Sequence, residues 1–267
     1  MPNTRRIPNG HPLSNRELDK AKGLQRGALR DFLQFYAVRN NVLFLDDFLG
    51  DTINLDNYAV ANSGGTSAAD FAIVVGEGGR IQGDTGTTDD GSISLIGPKL
   101  WYGDRNCGME VGIKTDIVTG FNLEVGFATA VPGANASVVS DVDTPTIVTD
   151  SAIFTIDTDQ TIATAAFVTD GSTANQDVKA TTLAGVPGFT GGTLPVLDTY
   201  YTVRIQLATD SAFCWVNGKL VASHNDDPQG NIEGGTALAP WIYCRTRSTT
   251  AVFPSVDYVM LWQDRGY

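Results

Sequence analysis

Tyr200-Tyr-Thr-Val-Arg-Ile-Gln-Leu-Ala-Thr209, with Phe213-Cys-Trp-Val-Asn217-Gly218-Lys-Leu-Val-Ala222 soon after it, decides the fold class. In the first segment Tyr201, Val203, Ile205 and Leu207 occupy every second position, with Thr202, Arg204 and Gln206 between them. That is the period of a strand with one face buried. Asn217-Gly218 is the pair favoured in a two-residue type I′ turn, because both central positions need positive φ. The whole stretch therefore reads as a strand followed by a tight hairpin. A simple register sets Trp215 opposite Leu220 and Phe213 opposite Ala222 on one face, which reads as core.

The same period and the same Gly, Asp and Asn punctuation extend outward from this hairpin. Strands are expected at 108–116, 121–129, 152–157, 161–169, 241–246 and 255–263. In the last, Val256, Tyr258, Met260 and Trp262 alternate with Asp257, Val259, Leu261 and Gln263, as in a strand inside a sandwich. Loops are expected at 62–70, 76–91 and 130–150. Short strands and a single helical segment imply an all-β, antiparallel β-sandwich. The chain's 267 residues, 42% of them hydrophobic, are enough for one large β domain. No apolar run is long enough to span a bilayer as a helix, and the N-terminus has no signal-peptide core.

Charge divides the chain at residue 40. Residues 1–40 carry eight basic against three acidic groups, and the remainder ten against 27, for a total of −12. The arm is thus +5 and the body −17, and the acidic balance of the molecule as a whole argues against general nucleic-acid binding. Within the arm, Ser14-Asn-Arg-Glu17 reads as a capping box that opens a helix over about 14–38. Leu18, Ala21, Ala28, Phe32 and Phe35 mark its apolar stripe, widened by Leu29, Leu33 and Tyr36. The segment ahead of it, with Pro2, Pro8, Gly10 and Pro12, reads as extended. Two readings of the arm stand side by side: a helix packed on its own domain with a solvated basic face, and a docking arm for a partner. Docking would use Arg5, Arg6, Arg16, Arg26 and Arg30 for charge and Leu29, Phe32, Phe35 and Tyr36 for burial.

Chemistry is harder to find. His11 and His224 are the only histidines, and there is no G-x-S-x-G, so a hydrolytic triad is excluded. His224 reads as a surface or edge residue. Cys107, Cys214 and Cys244 form no CxxC pair and read as free thiols of a protein made in a reducing compartment. No zinc spacing, phosphate-cradling loop or EF-hand is present. Pairs such as Asp46-Asp47 and Asp226-Asp227 read as turn residues, so no cofactor is expected beyond a structural Ca²⁺. The body has four glutamates: Glu77, Glu110, Glu124 and Glu233. Pairing 108–116 with 121–129 as a hairpin would set Lys114 opposite Glu124 as a cross-strand ion pair. It would also leave Glu110 roughly 13 Å from Glu124, beyond the separations at which two carboxylates cleave a glycoside. For glycan stacking the candidates are Trp101, Tyr102 and Trp241, whereas Trp215 and Trp262 read as core.

The order of segments resembles the concanavalin A-like (laminin-G-like) jelly-roll family. The resemblance rests on Leu45-Asp-Asp-Phe48-Leu-Gly50, Gly79-Arg-Ile81, Met109-Glu-Val-Gly-Ile-Lys114, Gly120-Phe121, the Asn217-Gly218 hairpin and the terminal Val256-Asp-Tyr-Val259. It covers about residues 42–265 and implies a jelly-roll sandwich. Laminarinase-type glycoside hydrolases of that family carry a Glu-x-Asp-x-x-Glu strand, and no such run exists here.

The chain as a whole is also similar in style to structural proteins of tailed bacteriophages. That resemblance implies a non-enzymatic capsid decoration or cement protein on the virion surface, made in the host cytoplasm. Its partners would be the major capsid protein or another virion protein, with a homo-oligomer, by analogy a trimer, and no membrane. A tail-fibre module that grips host glycans is the second expectation, and a glycan hydrolase or lyase the third.

Overall fold

The computed structural model describes residues 41–63, 65, 68–76, 79–129, 137–139, 150–159, 165–170, 176–181, 183–190, 194–209, 211–225 and 235–265. The basic arm, with its expected helix and all nine of its docking residues, lies outside the described residues. One compact unit runs from Val42 to Tyr267, and among its described residues the regular structure is β apart from short 3₁₀ stretches such as Gly103–Arg105.

The first sheet contains β1 (Asn41–Asp46), β3 (Ala69–Ile73), β4 (Ile81–Asp84), β7 (Gly108–Lys114), β14 (Tyr201–Ala208), β15 (Ser211–Val216), β16 (Lys219–Asn225) and β18 (Ser255–Asp264). Its order is β16-β15-β14-β7-β18-β4-β3, with β1 also paired to β18. The second contains β2 (Ala59–Asn62), β5 (Ser92–Ile96), β6 (Trp101–Tyr102), β8 (Phe121–Ala128), β9 (Ser151–Asp157), β10 (Ala165–Asp170), β11 (Gln176–Ala180) and β17 (Ala237–Thr246). Its order is β11-β10-β9-β8-β17-β5-β2, with β6 also on β17. A two-stranded ribbon joins β12 (Phe189–Thr190) to β13 (Leu194–Pro195). The strand pairings among β2–β18 are antiparallel and many join strands far apart in sequence, so the architecture is the antiparallel jelly-roll sandwich that the segment order implies.

The core lies between the sheets. Alternate residues of β14 (Tyr201, Val203, Ile205 and Leu207) meet alternate residues of the opposite sheet, such as Phe154 and Phe167, in a single buried cluster. Antiparallel partners share a face, so Ala212, Cys214 and Val216 of β15 follow β14 inward, opposite Leu207, Ile205 and Val203. This reverses the hairpin reading. Phe213 and Trp215 lie on the outer face. A bulge between Cys214 and Trp215 keeps Trp215 opposite Leu220 but moves Phe213 opposite Ser223. Asn217 and Gly218 both have positive φ, 48° and 76°, as a type I′ turn requires. Asn217 is also held by its side chain, which accepts from Thr202 N at 2.7 Å.

Other expectations change for equally local reasons. Residues 108–114 and 121–128 form strands but not a hairpin: β7 and β8 belong to different sheets, so Lys114 and Glu124 never meet. Lys114 pairs instead with Asp198. Ile81–Asp84, expected in a loop, is a strand because Ile81 is buried and Gly83 lies close against Ile93. His224, expected at the surface or an edge, lies on the edge strand β16 but is 1% exposed, with its ring 5.2 Å from that of Phe167. All three cysteines are free and buried.

Candidate active site

Each residue of β8 is buried, which sets it apart from a strand with one solvated face. The inward set is Phe121, Leu123, Val125 and Phe127. The outward set includes Asn122 and Glu124, polar residues buried on the outer face of the second sheet. Strand register aligns their neighbours in rows. Ser94, Tyr243, Glu124 and Thr155 form one row across β5, β17, β8 and β9. Ser92, Arg245, Asn122 and Asp157 form the next. On the other side of Glu124 the face becomes apolar, with Trp241, Ile153 and Val168 in one buried cluster.

Glu124 is the centre of this arrangement. Its Oε2 accepts from the Trp241 indole N–H at 2.8 Å and from Val138 N at 2.9 Å, and its Oε1 accepts from Val139 N at 3.0 Å. The Trp241 ring is stacked on that of Tyr243, with centroids 5.5 Å apart and planes 14° from parallel. Burial raises the Glu124 pKa from its ordinary 4.5 to about 7, although the three hydrogen bonds and nearby Arg245 pull the other way. A carboxyl in this site is therefore partly protonated at neutral pH, the state a general acid needs.

The second carboxyl is Asp157. It is fully buried, pairs with the Arg247 guanidinium, and accepts from Asn122 Nδ2 at 3.4 Å and Asp159 N at 3.3 Å. Asp90 adds an outer charge, 3.6 Å from Arg245 and 3.8 Å from Arg247. Asp157 stands diagonal to Glu124 across the β8–β9 pair, a placement that separates two such residues by about 7–8 Å. Asn122 Oδ1 and Ser94 Oγ are buried on the same face, and neither has a hydrogen-bond partner among the described residues. The result is two carboxyls in contrasting surroundings beside a Trp–Tyr stack, with spare polar atoms on the same sheet face.

Of the three residues expected to stack on glycans, the two tryptophans are buried. Trp101 and Trp241 are 4% and 1% exposed, because β17 carries Trp241 into the buried face and pairs Leu238 with Trp101. Tyr102 is partly exposed, with the Arg105 guanidinium 4.1 Å from its ring centroid. Trp215 and Trp262, expected in the core, are the partly exposed pair. No sequence signal joined Glu124 to Asp157, since they lie 33 positions apart on strands whose pairing depends on the whole sheet. Among the described residues no group of three or more His, Cys, Asp or Glu side chains is arranged to hold a metal ion.

No protein-family model and no curated protein matches the sequence. Solved structures do match. A β-1,3-glucanase from Mycobacterium marinum is 11% identical, with a TM-score of 0.54 over 82% of this chain and 97% of that one. A β-glucanase from Bacillus licheniformis is 12% identical, with a TM-score of 0.51 over 84% and 98%. The carbohydrate-recognition domain of Emp47p is 10% identical, with a TM-score of 0.52 over 82% and 94%. At these identities the likeness establishes the concanavalin A-like jelly-roll fold. It also corrects the functional expectation. The non-enzymatic virion decoration protein is overturned, because the solved structures that share this architecture include glycoside-cleaving enzymes.

Proposed function

We propose that this domain is a carbohydrate-active enzyme that hydrolyses a polysaccharide, with a β-glucan as the substrate class its structural neighbours suggest. Glu124 is the proton donor to the leaving glycosidic oxygen, and Asp157 is the base that activates water. The observation that carries the reading is the contrast between the two carboxyls. Glu124 is held partly protonated near neutral pH, while Asp157 faces the guanidinium of Arg247, just past the end of β17. Environments that differ in this way separate an acid from a base. The two residues are diagonal neighbours across the β8–β9 pair, on one face of the sheet. The second carboxyl comes from a neighbouring strand rather than from a Glu-x-Asp-x-x-Glu run. Val138 and Val139 cover Glu124, so substrate reaches the acid only when these two residues move off it.

The same closure favours a second reading of Glu124, as an anchor that pins Val138 and Val139 to the sheet through two backbone hydrogen bonds. Reducing-sugar release from mixed-linkage β-glucan and from β-1,3-glucan separates the two readings. The wild type should release reducing ends, and Glu124→Gln should lose roughly 10²–10⁴-fold of that rate while keeping its circular dichroism spectrum. Full activity in Glu124→Gln, or no release by the wild type from either glucan, would overturn the assignment.

A further inference from the structure

The outer face of the first sheet is unlike an ordinary solvated face. Two rows of side chains cross β15, β14, β7 and β18. One is Phe213, Gln206, Gly108 and Trp262; the other is Trp215, Arg204, Glu110 and Met260. A bulge in β18 between Val256 and Tyr258 leaves Asp257 exposed and brings Tyr258 opposite Gly112. The glycines matter. A Cβ at Gly108 would fall 2.2 Å from the Trp262 ring, and one at Gly112 would fall 2.8 Å from the Tyr258 ring. Both rings therefore lie across the β7 backbone at places where a side chain would collide with them. They are fixed there: the Trp262 indole N–H donates to Gln206 Oε1 at 2.9 Å, and the Tyr258 hydroxyl donates to Glu110 Oε1 at 2.8 Å.

Arg204 stands between the two indoles, 5.1 Å from the Trp215 centroid and 5.2 Å from that of Trp262. It is exposed, and its guanidinium makes no hydrogen bond to another described residue. The Trp215 indole N–H likewise has no partner among the described residues. Aromatic rings held in place beside free donors form a surface that is apolar in its plane and polar at its edges. A sugar ring has the complementary character, with C–H groups on its faces and hydroxyls around its rim.

We propose that this face is a second, non-catalytic binding surface for a neutral polysaccharide, with Trp215 and Trp262 as the stacking rings and Arg204 as the hydroxyl-binding donor. Charge selects the ligand. Glu110 stands directly opposite Arg204 and balances it, and the body's net charge of −17 repels nucleic acid and other polyanions. The rows extend about 14 Å across four strands, which suits a short run of sugar rings. This surface belongs to the opposite sheet from Glu124 and does not depend on hydrolysis.

The test is native affinity electrophoresis of the full chain in gels containing mixed-linkage β-glucan, β-1,3-glucan or polygalacturonate. It is run with the wild type, Glu124→Gln, Arg204→Ala and the double variant Trp215→Ala/Trp262→Ala. Both the wild type and Glu124→Gln should be retarded by a neutral glucan, and Arg204→Ala should bind at least tenfold more weakly. The double variant should not be retarded at all. Arg204→Ala carries the decision if the double variant fails to fold, because that side chain is exposed and makes no hydrogen bond to the described residues. Equal retardation of wild type and Arg204→Ala would overturn the proposal, as would no retardation by either neutral glucan or stronger retardation by polygalacturonate. A dimer in sedimentation that Arg204→Ala dissolves would also overturn it, by showing that a second copy covers this face.

Discussion

Replacing Glu124 by Gln should change the pH dependence of stability in a way no surface carboxyl can. In the folded protein burial holds the Glu124 pKa near 7, against 4.5 when the group is solvated. At low pH the carboxyl is protonated in both the folded and the unfolded chain and contributes no pH-dependent difference. As pH rises through 4.5 the unfolded chain releases this proton while the folded chain keeps it, so stability falls. The fall ends near pH 7, where the folded form also ionises. A shift of this size corresponds to about 3 kcal/mol over the whole window. Between pH 5 and pH 8 about 2–3 kcal/mol of it is expressed. Gln has no proton to lose. It keeps one acceptor oxygen for Trp241 and Val138 but turns an amide towards Val139 N, at a pH-independent cost of about 1–3 kcal/mol. Urea unfolding of both proteins at pH 5 and pH 8 measures the difference directly, because all other titrating groups are common to the two. The stability of Glu124→Gln relative to wild type should rise by about 2–3 kcal/mol between the two pH values. Parallel pH profiles would refute the raised pKa, and with it the protonated acid on which the proposed hydrolysis depends.

Two further outcomes follow from buried groups. Arg247→Met strands Asp157, a fully buried carboxylate, and should destabilise the domain by about 3–5 kcal/mol at pH 7 in urea unfolding. Cys107, Cys214 and Cys244 are buried, and burial raises each thiol well above its ordinary pKa. A chromogenic disulfide reagent should therefore find no fast-reacting thiol in the native protein and three in denaturant.

The sheet faces illustrate why some features of the site were hidden. In β14 the alternation of apolar and polar residues is unambiguous, and the observed burial follows it residue by residue. In β15 both alternating sets, Ala212/Cys214/Val216 and Phe213/Trp215, are apolar, so period alone does not choose between them. The larger set reads as core and is not. Pairing with β14 makes the choice, because partners across an antiparallel pair share a face. The β18 bulge has the same effect. It separates Val256 from Tyr258, Met260 and Trp262, with which it shares alternate positions in sequence. Bulges add one residue to one strand, and nothing in the local sequence announces them.

Glu124 was visible as one of only four body glutamates, but its environment was not. Sequence adjacency pairs its strand with β7, the preceding strand, whereas its neighbours are β9 and β17. By itself the sequence determined what depends on near neighbours: the all-β class, about half of the strand positions, the Asn217-Gly218 turn and the division of charge at residue 40. Those features follow from backbone sterics and a two-residue period, which act over a few positions. Tertiary structure alone decided which sheet each strand joined and which apolar face turned outward. It also decided which carboxyl was buried against an indole and which faced a guanidinium. These outcomes depend on pairings between strands tens of residues apart, where burial is shared across the whole sandwich and no local pattern records it.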